Sequence, residues 1–503
     1  MEDPITYTSV LSLIILIITL KLFLQTKNPQ KNLPPSPPAL PVIGHLHLLK
    51  SPVHRTLLRL SQKYGAVFSL WFGSRHVIII SSPSAVEECF TTNDVVLANR
   101  PSLIMNKHVS YNNTTMAAAP YGDHWRNLRR IGTQDIFSSA QLNVFLRTRR
   151  DEVRRFLRRI SRNSLRDFGK VKLKSLFQDL TFNIIMRMVA GKRYYGDDVE
   201  DEDEARQFKE IMKEVFEKGG AANPADFLPI LNWIPEGFEK RVTRLAKKTD
   251  KFLQWLIDEH RNGKERKNTM IDHLLSLQES QPEYYTDQII KGLVLILLLA
   301  ATDTSAMTLE WAMSNLLNHP DILKKAKAEL DGQVGQQHLL EESDLSKLNY
   351  LQNIISETLR LYPAGPLLLP HYSSDDCTIG GYTIPLDTMI LVNAWALHRD
   401  PMLWDDAESF KPERFENGER WGYKLIPFGL GRRSCPGIGL AQRVVGLTLG
   451  SLIQCFEWER IGKEEVDMTE GEGLTMPKVV PLEAVCKPRP IMNVILSETV
   501  YDV

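Results

Sequence analysis

The stretch FGLGRRSCPG, residues Phe428 to Gly437, places one cysteine among three glycines and two adjacent arginines. An apolar run, IGLAQRVVGLTLGSLIQ, follows directly, so Cys435 lies at the N-terminus of a predicted helix. The 503-residue chain has four other cysteines, and no two cysteines form a C-x-x-C pair. This spacing argues against a disulfide framework and a cysteine zinc site, and it indicates a reducing compartment.

Four interpretations of Cys435 are open. A dinucleotide-binding loop would need a glycine where Ser434 stands, and Pro427 interrupts the strand that should precede it. A redox thiol usually has a partner within two or three residues, and a buried structural cysteine leaves Arg433 and the glycines unexplained. The fourth interpretation is a thiolate ligand, because helix N–H groups and the helix dipole lower the pKa of a thiol. A single thiolate cannot complete a zinc site but suits haem, whose porphyrin supplies four ligands.

The composition is that of an ordinary globular protein with ample material for a core. Apolar residues make up 43% of the chain, and 61 basic residues balance 61 acidic ones, so the overall charge does not indicate nucleic-acid binding. Residues 66–82 predict two strands with a turn at Gly73-Ser74, and residues 377–397 predict a strand group with a turn at Gly380-Gly381. Helical periodicity dominates elsewhere, so we expect a mainly α domain with a minor β part.

Charge is unevenly distributed in two segments. Residues 147–166 contain nine arginines, with apolar residues at helical spacing, which favours an amphipathic helix with a solvated basic face over an anion-binding site. Residues 197–204, DDVEDEDE, predict an exposed acidic loop.

The N-terminal 26 residues predict a membrane anchor. Val10 to Leu24 is apolar apart from Ser12, Thr19 and Lys21, and with Ile5 to Ser9 it reaches about 20 residues, enough to span a bilayer. Glu2 and Asp3 do not fit the basic start of a cleaved signal peptide. Lysines follow the apolar run, which places the rest of the chain in the cytosol. Residues 27–41 are basic and proline-rich and predict a stiff hinge, and residues 42–503 predict one large domain.

The segment 286–319 predicts a long central helix, with Thr286 as the N-cap and Pro320 just beyond its end. Residues 293–301 of this segment are apolar all round, which predicts burial in a core rather than a second membrane span. Asp303 and Thr304 come directly after this apolar run. A buried acid is costly unless it is paired or used, so we favour a proton-carrying role over polar residues turned to water.

Two further sets of residues each have a structural and a functional interpretation. Glu357 and Arg360 are spaced for a helical ion pair and would form a buried triad with Arg414, although such pairs are commonly solvated. Trp125 and Arg129 lie four residues apart on one helical face and would clamp a carboxylate or phosphate. Taken alone, the spacing favours the structural interpretation, a half-buried tryptophan beside a surface arginine.

Together these features resemble the cytochrome P-450 superfamily of haem-thiolate monooxygenases. The chain carries F-x-x-G-x-R-x-C-x-G at 428–437, E-x-x-R at 357–360, P-E-R-F at 412–415 and W-x-x-x-R at 125–129. It also carries an acid–alcohol pair at 303–304. The motifs occur in the family's order, and with the anchor and hinge the match covers essentially the whole chain. The resemblance implies the family's fold, with the long helix over haem b.

The resemblance also implies residue roles. Cys435 would be the axial iron ligand, within a cofactor-binding loop that includes Phe428 and Gly437. Asp303 and Thr304 would deliver protons to dioxygen. The haem propionates would be bound by four side chains, Trp125, Arg129, His371 and Arg433. The triad residues would be structural.

The same resemblance implies the partners. Electrons would come from NADPH through a membrane-bound flavoprotein reductase, docking near Arg130, Lys424 and Arg432. The enzyme would reside in the endoplasmic reticulum membrane with one N-terminal span, take a small aromatic substrate and dioxygen, and bind no nucleic acid.

Segments such as LWFGSR, NDVVLANRP and GKRYYGDD look like the legume isoflavone hydroxylases that act at the 2′ or 3′ position. The implied pocket is lined by largely apolar segments, 103–117, 297–304, 364–369 and 474–476. In one departure from the family pattern, Ala301 stands where glycine is usual. We hypothesise that its methyl group alters the oxygen groove and turns hydroxylation toward ring closure, such as methylenedioxy-bridge formation. A haem-thiolate isomerase independent of a reductase, and a non-enzymatic haem sensor, are the alternatives from other classes.

Overall fold

The computed structural model describes residues 8–9, 12, 15–16, 32–162, 168–196, 199, 201–219, 223–233, 237–263, 268–416 and 422–497. Apart from five residues, the predicted anchor lies outside this part of the chain, and so do residues 27–31 of the predicted hinge. The division into anchor, hinge and domain therefore stays a prediction.

Helices dominate the described residues, as predicted. They are α1 Val53–Tyr64, α2 Pro83–Phe90, α3 Ile104–His108, α4 Asp123–Arg130, α5 Ser139–Val144, α6 Leu146–Arg162, α7 Leu173–Ala190, α8 Glu202–Gly219, α9 Pro224–Phe227, α10 Phe238–Asn262, α11 Met270–Ser280, α12 Asp287–Ala300, α13 Asp303–Asn318, α14 Pro320–Gln333, α15 Asn349–Leu361, α16 Ala394–Leu397, α17 Ile438–Cys455 and α18 Ile491–Ser497. Short 3₁₀ turns cover Leu46–Leu48, Pro229–Trp233, Asp344–Lys347, Pro412–Phe415, Gly422–Lys424 and Gly431–Arg433, and Ile131–Ile136 forms a π-helical segment.

Three small sheets make up the β part of the described residues. The strands are β1 Val67–Phe72, β2 Arg75–Ile80, β3 Gly169–Lys172, β4 His371–Tyr372, β5 Cys377–Ile379, β6 Tyr382–Ile384, β7 Met389–Val392, β8 Phe456–Glu459 and β9 Glu483–Pro488. The largest sheet has the order β1-β2-β7-β4, in which β2 and β7 are parallel. Both predicted turns are confirmed, since β1 pairs with β2 across Gly73-Ser74 and β5 with β6 across Gly380-Gly381. The end of the predicted strand group differs, because Ala394–Leu397 forms α16.

The predicted central helix is present but is divided in two. Thr286 caps α12 by accepting the N–H of Ile289, and α13 ends at Asn318, just before Pro320, as predicted. Ala301 and Thr302 form a turn between the two helices. There the hydroxyls of Thr302 and Thr304 donate to the carbonyls of Leu298 and Ala300, at 2.7 Å in both cases. These side chains take acceptors that backbone N–H groups use in a regular helix, which is a known route to local helix distortion.

Most of this helix pair is core. Within the described residues, two helical stretches are long and apolar enough to cross a membrane, Asp287–Asn318 and Ile438–Cys455, and both are mainly buried inside the protein. Both stretches also contribute side chains to the largest hydrophobic cluster. Such burial is what a core helix requires.

The basic segment forms α6 as an amphipathic helix, as predicted, but its basic face is only partly solvated. Its apolar residues Val153, Phe156, Leu157 and Ile160 are buried. Several arginines pair with carboxylates, and Arg149 lies fully buried against Glu342 at 2.5 Å. The prediction of an acidic loop at 197–204 is wrong for its last three residues, which form the first turn of α8. Acidic side chains are stabilised there by the helix dipole.

The proline-rich segment is attached to the domain. Ser69 of β1 donates its N–H to the carbonyl of Pro35 at 2.8 Å, and His45 Nε2 bonds to the carbonyl of Pro37 at 2.8 Å. His45 is fully buried and its Nδ1 accepts the N–H of Trp71 at 2.7 Å. Residues 35–37 therefore follow the first sheet instead of standing free of it.

Candidate cofactor and active site

The cysteine loop is built from turns that end at the N-terminus of α17. Cys435 donates its N–H to the carbonyl of Phe428 at 2.8 Å, which closes the loop on itself. Gly431 has φ +65°, a left-handed conformation that favours glycine. A Cβ atom there would lie 2.3 Å from Asp94 Oδ1. Asp94 in turn accepts the backbone N–H of Arg432 at 3.0 Å. Glycine is thus required both by conformation and by the approach of Asp94.

The environment of Cys435 contains opposing influences on its thiol. Burial raises the pKa, while the N–H of Gly437 and the charge of Arg129 lower it, and burial prevails. The helix N–H group therefore acts on the pKa in the predicted direction, but burial outweighs it. A coordinated metal cation favours the thiolate directly, so a ligand role does not depend on a low intrinsic pKa.

Three guanidinium groups gather near this loop. Arg129 donates to the carbonyl of Ser434 at 2.6 Å, and Arg433 donates to the carbonyl of Ala98 at 2.5 Å. Arg100 donates to the carbonyls of Leu369 and Pro370, at 2.9 and 2.8 Å.

These guanidinium groups disfavour one another's charge. Burial and the charge of Arg433 lower the pKa of Arg100 to about 9, and burial and the charge of Arg129 lower the pKa of Arg433 to about 10. Among the described residues, no carboxylate lies within the 4.0 Å ion-pair distance of any of the three.

His371 and Trp125 complete the predicted set. His371 is buried on β4, and its Nδ1 bonds to the carbonyl of Leu97 at 2.8 Å, so its other ring nitrogen is left for a ligand. Burial and the neighbouring arginines hold its pKa well below the usual range, which keeps the ring neutral. Trp125 donates its ring N–H to the carbonyl of Met116 at 3.0 Å, so that N–H is already used. Its ring instead lies under the Arg433 guanidinium, 4.4 Å from the ring centre.

This donor set fits haem. Half-buried guanidinium groups without carboxylate partners are costly. The buried Nε atom of Arg100 also has no hydrogen-bond partner. A ligand that brings two carboxylates next to a lone thiolate would satisfy them, and haem carries two propionates on a macrocycle that leaves an axial position for a thiolate. Among the described residues, no group of three or more His, Cys, Asp or Glu side chains could hold a metal ion by itself. The site therefore suits a metal held mainly by its own macrocycle.

The acid–alcohol pair is present, but its two members point to different partners. Asp303 Oδ2 accepts the hydroxyl of Thr475 at 3.0 Å, whereas the Thr304 hydroxyl donates to the carbonyl of Ala300. Burial raises the pKa of Asp303, an effect that the Thr475 hydrogen bond and the charge of Lys174 oppose.

The predicted triad is confirmed, and its Glu357–Arg360 pair is fully enclosed. Glu357 and Arg360 have no exposed side-chain surface, and their bidentate contacts measure 2.7 and 2.8 Å. Arg414 contacts the same carboxylate at 3.0 Å with Nε. Arg360 also donates to the carbonyls of His398 and Ala407, so the triad joins α15 to the loop that follows α16.

Sequence reasoning missed three residues that the structure brings into the site. Arg100 and Asp94 belong to NDVVLANRP, a segment that indicates only a likeness to the isoflavone hydroxylases. Thr475 belongs to the predicted pocket segment 474–476, which assigns it no individual role. No local pattern marks their roles, because each acts on a residue more than a hundred positions away.

Comparison with known proteins agrees with this geometry. The family model described as Cytochrome P450 matches residues 34–481. The chain is 59% identical to Cytochrome P450 81Q32 of Catharanthus roseus over 99% of this chain and 100% of that protein. It is 58% identical to isoflavone 3′-hydroxylase of Medicago truncatula, over 97% of this chain and 99% of that protein. It is 56% identical to (+)-piperitol/(+)-sesamin synthase CYP81Q2 of Sesamum radiatum, over 94% of each.

Proposed function

The chain belongs to the cytochrome P450 family, and we propose that it is an NADPH-dependent monooxygenase that hydroxylates the aromatic ring of an isoflavone at the 2′ or 3′ position. Members of the family use haem with a thiolate-ligated iron and take electrons from NAD(P)H through a reductase. The observation that carries the substrate class is the 58% identity to isoflavone 3′-hydroxylase over nearly the full chain.

Haem would be held by Cys435 at the iron and by three guanidinium groups at its propionates, those of Arg100, Arg129 and Arg433. His371 would add its free ring nitrogen, and Phe428 and Gly437 would shape the loop below the macrocycle. When bound, haem supplies the activation of dioxygen, and electron donation from the thiolate favours O–O cleavage. Trp125 would support this set through its contact with Arg433, since its own N–H is engaged by Met116.

Proton supply would be the role of Asp303 and Thr304. Burial raises the pKa of Asp303, so its carboxyl both holds and releases a proton nearer to neutral pH than an exposed aspartate does. Thr304 lies on the partly exposed face that also carries Ile296 and Ala300. Its hydroxyl, bonded to a backbone carbonyl, can turn to accept and donate in succession.

The substrate would lie against that face. Ile296, Ala300 and Thr304 follow one another at a spacing of four residues, which places them on one side of the helix pair. Leu369 and Leu474, from two other predicted pocket segments, are 42% and 46% exposed. These small and apolar side chains suit a flat aromatic ligand.

A second candidate, oxidative ring closure, is favoured by one residue. Ala301 stands in the turn between α12 and α13 with φ −93° and ψ −8°, a backbone that does not need glycine. Its methyl group is therefore accommodated without strain and occupies space that glycine would leave free. The identity to (+)-piperitol/(+)-sesamin synthase is close to that for the isoflavone hydroxylase. If Ala301→Gly leaves both products and coupling unchanged, this candidate is wrong.

Residence in the endoplasmic reticulum membrane, through the predicted anchor, is supported by an exposed apolar surface. Ile230 and Trp233 are 63% and 84% exposed and follow Phe227, whose carbonyl accepts the N–H of Ser74 in the β1–β2 turn. Leu40 and Val42 are about half exposed and lie beside the same strand pair. In microsomes containing the full chain, we expect alkaline carbonate to leave the protein in the pellet and added protease to digest residues 42–503.

Docking of the reductase on the cysteine-loop side is supported by exposed cations. Arg130, Lys424 and Arg432 are all exposed, and Arg432 lies within the loop itself. Arg126, also exposed, extends this basic surface beside Tyr121. An acidic partner surface would be attracted there.

Turnover of a substrate panel tests the function. The full chain, reconstituted with reductase and NADPH, is given isoflavones and matched flavones, and products are identified by mass and NMR. Hydroxylation yields a product one oxygen atom heavier, ring closure yields one that has lost two hydrogens, and isomerisation needs no NADPH. Hydroxylated isoflavones support the proposal; turnover of flavones alone contradicts its substrate class.

A further inference from the structure

Residues 469–479 form a hairpin. Its base holds Glu470 against His54 and Arg55, and its tip reaches Asp303. Val479 donates its N–H to the carbonyl of Thr469 at 3.0 Å, and Gly471 donates to the carbonyl of Pro477 at 2.6 Å. Leu474, at the tip, is 46% exposed and belongs to a predicted pocket segment. Thr475 follows it and donates its hydroxyl to Asp303 Oδ2.

The position of this hairpin is fixed independently of Thr475. At its base, Glu470 accepts from His54 Nε2 at 2.8 Å, Arg55 Nε at 2.7 Å and Trp395 Nε1 at 2.8 Å. Nearer the tip, the ring N–H of Trp311 donates to the carbonyl of Met476 at 2.8 Å. Because residues on both sides are held, the 3.0 Å contact of Thr475 with Asp303 is a defined one.

A small cavity lies beside Asp303, between α7 and α13. Its lining is Lys174, Gln178, Asp303, Ala306, Met307, Glu310 and Pro477. About 20 Å³ is available there to the centre of a water molecule, which is room for about one water. Lys174 and Gln178 are partly exposed on α7, so this cavity adjoins the protein surface. The charged groups facing Asp303 are Lys174 from α7 and Glu310 from its own helix.

We propose that Thr475 is a positioning residue for Asp303, holding the carboxylate at the cavity where it takes up protons and coupling the hairpin at the substrate pocket to proton supply. This inference rests on the proposed role of Asp303. The carboxyl passes its proton toward the Thr304 hydroxyl and regains one from water at the Lys174–Gln178 side. Because Leu474 directly precedes Thr475 at the hairpin tip, a substrate that packs against Leu474 lies next to this contact.

The test compares Thr475→Val, Thr475→Ser and Thr469→Val in the reconstituted full-length enzyme. Thr469 is an exposed threonine of the same hairpin and serves as the control. For Thr475→Val we expect product formed per NADPH to fall roughly tenfold, the equivalent of one hydrogen bond to a charged group. Hydrogen peroxide release and the solvent deuterium isotope effect should both rise. Thr475→Ser should restore the wild-type values, and Thr469→Val should leave them unchanged.

A double-mutant cycle with Asp303→Asn gives a readout that does not depend on activity. Thermal unfolding should show that Thr475→Val lowers the melting temperature in the wild-type background and has little effect in Asp303→Asn, since the partner charge is then absent. If Thr475→Val forms as much product per NADPH as the wild type, or if Thr475→Ser does not restore the wild-type ratio, the inference is overturned. If Asp303→Asn uncouples the enzyme and Thr475→Val does not, the inference alone fails; if Asp303→Asn has no effect, the proposed role of Asp303 fails with it.

Discussion

Replacing Gly431 with alanine should loosen the cysteine loop more than any other single methyl group added to it. The new Cβ would lie 2.3 Å from Asp94 Oδ1, and the φ of +65° is unfavourable for alanine. The left-handed conformation costs about 1–2 kcal/mol. Displacing Asp94 from the N–H of Arg432 costs about 1.5–3 kcal/mol more. The sum, about 2.5–5 kcal/mol, corresponds to a loss of at least about seventyfold in retention of the intact loop.

The assay is the red-shifted Soret band of the ferrous–carbon monoxide adduct, followed over time at a fixed denaturant concentration. Gly429→Ala is the matched control, because Gly429 also has a positive φ, +67°, but a Cβ there would lie no closer than 4.0 Å to Ser434. It should therefore show only the conformational cost of about 1–2 kcal/mol. Equal decay rates for the two variants would refute the argument that Asp94 requires glycine at position 431.

Three other perturbations give separate tests. Arg433→Ala should weaken haem binding roughly tenfold or more, measured by haem transfer to an apo-globin, because it removes one propionate partner; unchanged transfer would contradict the assigned role. Glu470→Gln should destabilise the protein by about 3 kcal/mol at pH 7, since the pKa of Glu470 is lowered from 4.5 to about 2. The stabilisation by ionised Glu470 is fully present above pH 4.5 and is lost as the pH falls toward 2. If the stability difference between wild type and Glu470→Gln does not shrink over that pH range, the assignment is contradicted. Arg130→Glu with Lys424→Glu should slow reduction by the reductase several-fold at low salt, while Lys63→Glu on α1 should not; no effect on the rate would relocate the docking surface.

The sequence predicted those features that are encoded within one element. The turns at Gly73-Ser74 and Gly380-Gly381 depend on glycine conformation and β-branched flanks, and both are present. The buried triad was identified because Glu357 and Arg360 share a helical face, and Arg414 follows in a proline-marked loop. In each case the responsible residues are neighbours in sequence or belong to a short pattern.

Features that depend on individual hydrogen bonds or on burial could not be predicted in this way. The break at Ala301 and Thr302 depends on hydroxyl groups bonding to carbonyls one turn back, which apolar periodicity does not reveal. The engagement of the Trp125 N–H by Met116 depends on how the preceding loop packs. The pKa of Cys435 depends on burial, which outweighs the helix N-terminus and Arg129.

The most direct test of the account follows labelled oxygen. The full chain with reductase, NADPH, an isoflavone and ¹⁸O₂ should give a ring-hydroxylated product that carries one labelled oxygen atom, and Cys435→Ala should give none. A product without label, or one formed equally well without NADPH, would contradict the proposal that this protein is an isoflavone monooxygenase.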